Sequence, residues 1–266
     1  MAKGKIFIGV GGWTYEPWRG EFYPDGLAQK RELEYAAVKL TSIEINGTYY
    51  GSQKPASFKK WHDETPEGFV FSLKGTRYTT NRRVLAEAGE SIERFIGSGL
   101  LELKDKLGPI NWQMAPTKQF DPKDFEAFLK LLPHKYEGHV MRHAVEVRHP
   151  SFQSPDFVAM MREHGVAIVT AGDSEFPQIA DVTANFAYAR IMGTKEDEKL
   201  GYPSATLTKW VERAREWAEG KAPKGLETFG THKPDGEPRD VFLYVISGHK
   251  VRNPAAAMAM IERLAK

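Results

Sequence analysis

The chain has 266 residues, no Cys, 41% hydrophobic and 27% charged residues, and 37 Lys+Arg against 35 Asp+Glu, a formal net charge of +2. That composition is ordinary for a globular protein and excludes a disordered chain, a collagen-like fibre and a disulfide-stapled scaffold. Without Cys there is no thiolate nucleophile, no disulfide redox couple and no Cys-ligated zinc or iron–sulfur centre. A net charge this small gives no general affinity for nucleic acid, so only local clusters of cations could supply one.

No stretch approaches the roughly 18 consecutive apolar residues of a membrane-spanning helix, and no membrane partner is expected. The opening run Met1-Ala2-Lys3-Gly4-Lys5 leads into the strand-like Ile6–Val10 without an apolar leader segment, so a cytoplasmic protein is expected.

In chain order, β-rich runs occur at Ile6–Val10, Ser42–Asn46, Phe69–Lys74, Ile110–Gln113, Ala144–Val147, Val166–Thr170, Phe186–Arg190 and Val241–Ile246. Most are apolar on both faces, as strands covered on both sides must be. Helical spacing appears between them. Leu33, Ala36, Ala37 and Leu40 mark a helix over Leu27–Leu40. Asp121-Pro122 and Ser154-Pro155 each read as an N-cap followed by Pro in the first turn, and Gly165 suits a C-terminal stop. Leu207–Glu219 is amphipathic, and Asn253-Pro254 reads as the cap of a last helix over Ala255–Ala265. Eight strands alternating with helices over this length predict a single (β/α)8 TIM barrel in one domain spanning 1–266. A doubly wound open sheet gives the same local pattern.

In a TIM barrel the chemistry lies at the C-terminal ends of the strands. Glu44 and Asn46 alternate with Ile43 and Ile45, and Glu146 alternates with Val145 and Val147. A carboxylate inside a strand needs a partner. Lys74, Arg148 and Arg190 are the available cations, and Gln113 ends the fourth run. Glu44, Glu146 and His149 are therefore the candidate catalytic residues, His149 because imidazole moves protons near neutral pH. The plainer alternative is a set of structural ion pairs plugging the barrel.

Lys74 to Arg83 carries four basic residues, Arg77 among them, and no acidic one. Ser247 to Pro254 places Gly248, His249, Lys250, Arg252 and Asn253 before a helix. Both stretches suit an oxyanion, or equally a solvated loop. Trp13 and Tyr15 belong to an aromatic-rich first loop and are candidates to line a pocket, as is Asp173 after the sixth run. The His residues show no metal-ligand spacing, and the cations near Glu44 and Glu146 compete with a divalent ion, so neither metal nor cofactor is expected.

Several of these stretches are long motifs. Gly11-Gly12-Trp13-Thr14-Tyr15-Glu16-Pro17-Trp18-Arg19-Gly20-Glu21-Phe22-Tyr23-Pro24 resembles the opening motif of the YecE-like family, a widespread group of barrels with no established reaction. Glu44 to Tyr50, Phe69 to Lys74, Gly108 to Pro116, Glu146 to Phe152 and Tyr188-Ala189-Arg190 are similar to its later motifs. The resemblance implies a TIM barrel. Two places depart from the family pattern. Met192-Gly193 stands where His-Gly is usual, and Ser247-Gly248 stands where paired Asn is usual.

The leading expectation is a barrel that binds a small anionic ligand, phosphorylated or with a nucleic-acid backbone as one form, and acts in its catalytic version as a hydrolase. Two alternatives stay open: a sugar isomerase or epimerase using two carboxylates, and a non-catalytic binding or scaffold protein. The sequence leaves open whether the protein is an enzyme.

Overall fold

Each barrel strand must serve two interiors, because alternate side chains face the barrel axis and the surrounding helices. The computed structural model describes residues 4–232 and 234–266; Met1–Lys3, part of the opening run read above, and Lys233 lie outside the described residues. The barrel strands are β1 (Ile6–Gly11), β2 (Ser42–Ile45), β3 (Val70–Lys74), β4 (Leu107–Gln113), β5 (His143–Glu146), β6 (Ala167–Gly172), β7 (Phe186–Ile191) and β8 (Asp240–Val245). All eight neighbouring pairs are parallel, and β1 pairs with both β2 and β8, so the sheet closes. The protein is a (β/α)8 TIM barrel, not an open sheet.

Ile8, Val10, Ile43, Ile45, Leu73, Ile110, Trp112 and Val145 face outward and are buried under the helices. The inward set is graded along the axis. Its lower part is apolar, with Phe7 and Phe242 stacked 5.0 Å apart and Val70, Ala144, Ala167 and Phe186 around them. Midway, the Tyr244 hydroxyl bonds both Ser42 Oγ and Ser72 Oγ at 2.6 Å. At the C-terminal end the inward residues are Glu44, Lys74, Gln113, Glu146 and Arg190, all buried.

The helices follow their local signals with differences at the ends. The Asp121 side chain accepts hydrogen bonds from Lys123 N and Asp124 N to start Pro122–Leu131, and Ser154 caps Pro155–Glu163 through Phe157 N. The helix expected over Leu27–Leu40 is α-helical only at Glu32–Lys39, after a 3-10 turn at Gln29–Arg31. The last helix runs over Asn253–Leu264, and Asn253 is its first residue rather than its cap. Its side chain is drawn to tertiary partners instead: Nδ2 donates to Ser247 O at 3.2 Å, and Oδ1 accepts from Thr194 Oγ1 at 2.7 Å. Asn253 therefore ties the loops after β7 and β8 together. None of the helices is long and apolar enough to cross a membrane among the described residues.

Closure brings some backbones very near one another. Gly9 lies opposite Ser42, and a Cβ on Gly9 would sit 1.8 Å from the Ser42 carbonyl oxygen. Gly9→Ala must therefore push β1 off β2, and is expected to destabilise the fold by about 3 kcal/mol or more, at the upper end of overpacking penalties. An unchanged midpoint in urea denaturation would refute this close approach.

Candidate functional site

Glu44 and Arg190 lie across the barrel from each other in sequence order, on β2 and β7, and only closure lets them meet. Arg190 is the centre of the mouth. Its Nη2 donates to Glu44 Oε1 at 3.0 Å, and its Nη1 donates to Glu146 Oε2 and, at 3.1 Å, to Gln113 Oε1. Arg148 Nε and Nη2 both reach the other Glu146 oxygen at 2.7 Å. The second Glu44 oxygen accepts from Tyr188 OH at 2.6 Å and Asn111 Nδ2 at 3.4 Å. Both carboxylates are fully buried and Arg190 is only 4% exposed.

Burial by itself would push the Glu146 carboxyl up, but Arg190, Arg148 and Lys74 outweigh it and hold its pKa near 2. Burial likewise opposes the charge on Arg190, and Glu146 with Glu44 overcomes that, raising it above its ordinary value. The Tyr188 hydroxyl is raised well above the ordinary phenol, by burial and then by the Glu44 charge. It stays protonated and donates. Two carboxylates and two arginines balance.

Lys74 is the cation left over. It is 8% exposed, and its ammonium sits 4.6 Å from the Tyr49 ring centroid. Among the described residues it has no hydrogen-bond acceptor and no ion pair. Burial, then the positive charge of Arg190, lowers its pKa to about 8 against the pull of Glu44 and Glu146.

The remaining sequence-predicted residues divide into rim and periphery. His149 is partly exposed at the start of the turn Pro150–Phe152, where its Nδ1 accepts from Ser151 N at 3.2 Å. That bond places the proton of the neutral ring on Nε2. Asn46 lies against Gly11, where a Cβ would meet its Nδ2 at 2.5 Å. Trp13 packs edge-on against Trp61 at 5.2 Å, as part of the wall under the first loop. Tyr15 is 36% exposed on the rim, with Lys250 Nζ 5.7 Å from its ring. Arg77 is exposed and stacks on Tyr78, away from the arginine network. Asp173 is held outside that network by Trp210 Nε1, which donates to it at 2.7 Å. Met192, one of the two expected departures from the family pattern, is a buried inward residue of the barrel wall.

Sequence reasoning missed Asn111 and Tyr188, which bind the two carboxylates from β4 and β7. Their signal was available, because each shares strand parity with a residue already singled out, Gln113 and Arg190. Among the described residues no three His, Asp or Glu side chains are grouped to hold a metal ion. A cleft of about 650 Å³ lies beside the mouth, where Arg82, Arg83 and Lys118 face Asp121 and Asp124, so its charge is mixed.

A closed parallel barrel with an arginine–carboxylate network in its C-terminal mouth defines the class of this protein as a TIM barrel with a polar, charge-paired centre. More narrowly, the chain belongs to the DUF72 family of proteins of unknown function, whose family model matches residues 7–266. It is 27% identical over 150 residues to the UPF0759 protein YecE of Escherichia coli K12, across 55% of this chain and 50% of that one. It is 27% identical over 158 residues to the UPF0759 protein YunF of Bacillus subtilis 168, across 57% and 54%. The match spans about half the length of these curated relatives. In structure it is similar to a DUF72 family protein of Thermotoga maritima MSB8, with a TM-score of 0.75 and 22% identity over 98% of this chain and 100% of that one. A DUF72 family protein of Enterococcus faecalis V583 gives 0.72 and 19% over 99% and 98%. SacUVDE, at a TM-score of 0.54 and 10% identity over 98% of each chain, shares the fold.

Arg190→Ala leaves two buried carboxylates without their shared partner and is expected to destabilise the protein by about 3–5 kcal/mol at neutral pH. The pH dependence should also change sign. In the native protein the depressed Glu146 pKa contributes stability above the ordinary carboxyl pKa of 4.5 that is lost as pH falls toward 2. In Arg190→Ala, burial of Glu146 is left less opposed, so acidification from neutral pH toward 5 should raise the melting temperature. A variant that melts like the native protein at pH 7 would show that Arg190 is dispensable to the mouth.

Proposed function

We propose that this barrel binds a small anionic ligand, phosphorylated or carboxylated, at its C-terminal mouth. The observation that carries the reading is the surplus cation: Glu44 and Glu146 are fully engaged by Arg190 and Arg148, and Lys74 remains beside them with no ion pair of its own among the described residues. The recessed ammonium reaches solvent but has no protein acceptor among the described residues, and a ligand oxyanion supplies the partner that the protein does not. Arg148, whose side chain is 17% exposed, is the second cation within reach of solvent. Arg190, sealed by its two carboxylates, holds the network in place rather than meeting the ligand.

Because Lys74 is recessed, a small molecule suits the mouth better than a nucleic-acid backbone. Cytoplasm, where phosphorylated metabolites are concentrated, is the compartment this reading implies. In a hydrolytic version His149 is the proton donor, through Nε2. The isomerase reading needs a carboxylate free to take a proton, and each carboxylate here is tied to arginine.

Inorganic phosphate titrated calorimetrically should bind, and binding should weaken as salt rises. Lys74→Met should lower the affinity at least about tenfold, as expected for loss of one charge-assisted contact. Lys209→Ala, on the exposed side of the helix Ser204–Ala218, should leave it unchanged. Equal phosphate binding by Lys74→Met and native protein would defeat the proposal, and oligonucleotide binding indifferent to Lys74 would move the anion site to the surface loops.

A further inference from the structure

Two buried lysines in this protein differ in a way that charge alone does not explain. Lys106, 5% exposed, directs its ammonium to His62 O and Thr65 O at 2.6 Å and to Thr65 Oγ1 at 3.1 Å. All three of its N–H bonds find acceptors, which fixes it as a protonated structural cation. Lys74 is nearly as buried, at 8%, and finds no acceptor among the described residues. Its nearest recorded contact is the face of Tyr49, 4.6 Å away. A face of π electrons attracts an ammonium without accepting three directed hydrogen bonds. Among the described residues, then, no acceptor holds the protons of Lys74, and its nitrogen is the unused nucleophile of the mouth. Its surroundings favour that state too. A lysine becomes a carbonyl-attacking amine when it is desolvated and placed beside another cation. The Arg190 guanidinium, at the end of β7, supplies that neighbour.

We propose that Lys74 is a carbonyl-reactive amine that condenses with a small anionic aldehyde or ketone, whose carboxylate or phosphate is held by Arg148. The proposal rests on the anionic-ligand reading and names its substrate class. Arg148 is suited to the second role because Nε and Nη2 are fixed by Glu146 while Nη1 keeps no protein acceptor among the described residues. Its planar group is also braced 4.1 Å from the Phe176 ring. In the condensation Nζ adds to the carbonyl carbon, the carbon–oxygen double bond opens, and oxygen leaves as water. The two protons that nitrogen loses leave with that water. The product is a protonated imine, so the single positive charge is conserved and no other reactant is needed. The new iminium occupies the place of the ammonium, beside Tyr49 and within the field of Glu44 and Glu146.

Sodium cyanoborohydride with glyoxylate tests this directly, because it converts an imine at lysine into a stable carboxymethyl amine that peptide mass mapping locates. The groups facing Lys74 are Arg190, Arg148, Glu44, Glu146 and the Tyr49 ring, and together they leave its pKa near 8. At pH 7 its neutral fraction then exceeds that of an ordinary lysine by roughly two orders of magnitude. Lys74 should be carboxymethylated at least about tenfold faster than exposed Lys209 in the same digest, allowing for its recessed position, and added inorganic phosphate should slow it. Labelling of Lys74 no faster than of Lys209 overturns the proposal. Phosphate binding by the same protein separates the two ideas. Binding without fast labelling removes the amine proposal and keeps the anion site, whereas absence of both removes both. Lys74→Arg, which keeps the cation but cannot form an imine, should retain phosphate binding and lose the fast-labelled peptide. The native-protein map decides the matter if that variant does not fold.

Discussion

The pairing of Arg190 with Glu44 and Glu146 is the constraint from which the upper barrel follows. Each carboxylate in isolation would be expelled from such an interior or protonated there. Held by one guanidinium, they are paired at full burial, and Arg148, Tyr188, Asn111 and Gln113 add bonds to the carboxylate oxygens and to Arg190 Nη1, while Arg190 Nε and Asn111 Oδ1 keep no partner among the described residues. Three strands contribute to this arrangement besides β2, namely β4, β5 and β7, so a shift of one strand by a single residue would turn its contributor outward and leave a polar group unpaired. The network thus acts together with the outward apolar packing of Val10, Ile45, Leu73 and Trp112 in fixing register at the C-terminal end.

The other end of the barrel is built on the opposite principle. Phe7, Phe186 and Phe242 fill it by ring packing, and the Tyr244–Ser42–Ser72 hydrogen bonds form the boundary between the dry layer and the charged one. Hydrophobic burial stabilises the lower layer without directional demands, while the upper layer is specific but contributes little net stability. That division leaves the mouth free to serve a ligand. The loops above it are tied both by polar contacts, such as Asn253 to Thr194 and Ser247, and by aromatic packing, such as Trp13 on Trp61 and Phe120 on Phe152.

Within the mouth, function separates from structure by counting partners. Arg190 has its partners inside the protein, so its removal damages the fold. Lys74 has none among the described residues, which is why the proposed ligand contact falls on it. The nearness of Arg190 links the two roles, because the guanidinium that neutralises the carboxylates also lowers the proton affinity of the lysine. His149 and Asp173, both at strand ends, are held by different local contacts. One caps a turn and the other is fastened to Trp210.

The sequence by itself determined an alternation of eight buried strands with helices, because doubly apolar runs separated by helices have few ways to bury both faces, and it left closure of the sheet to the tertiary structure. It also determined which polar residues point inward, since parity along a strand is a local property: Glu44, Lys74, Gln113, Glu146 and Arg190 share the mouth as their alternation with apolar neighbours requires. The caps at Asp121 and Ser154 were legible for the same reason, being bonds made within three residues. What only the tertiary structure decided is who pairs with whom. Glu44 and Arg190 are 146 residues apart, and three cations near two carboxylates allow several pairings until closure fixes the distances. Asn253 illustrates the limit most plainly. Its sequence context is that of a helix cap, yet Thr194 and Ser247 take its side chain, because the helix start is buried against the loops after β7 and β8, whose polar groups lie within its reach. That Lys74 is left without a partner is likewise a property of the closed barrel, as it is defined by what the other side chains have already bound.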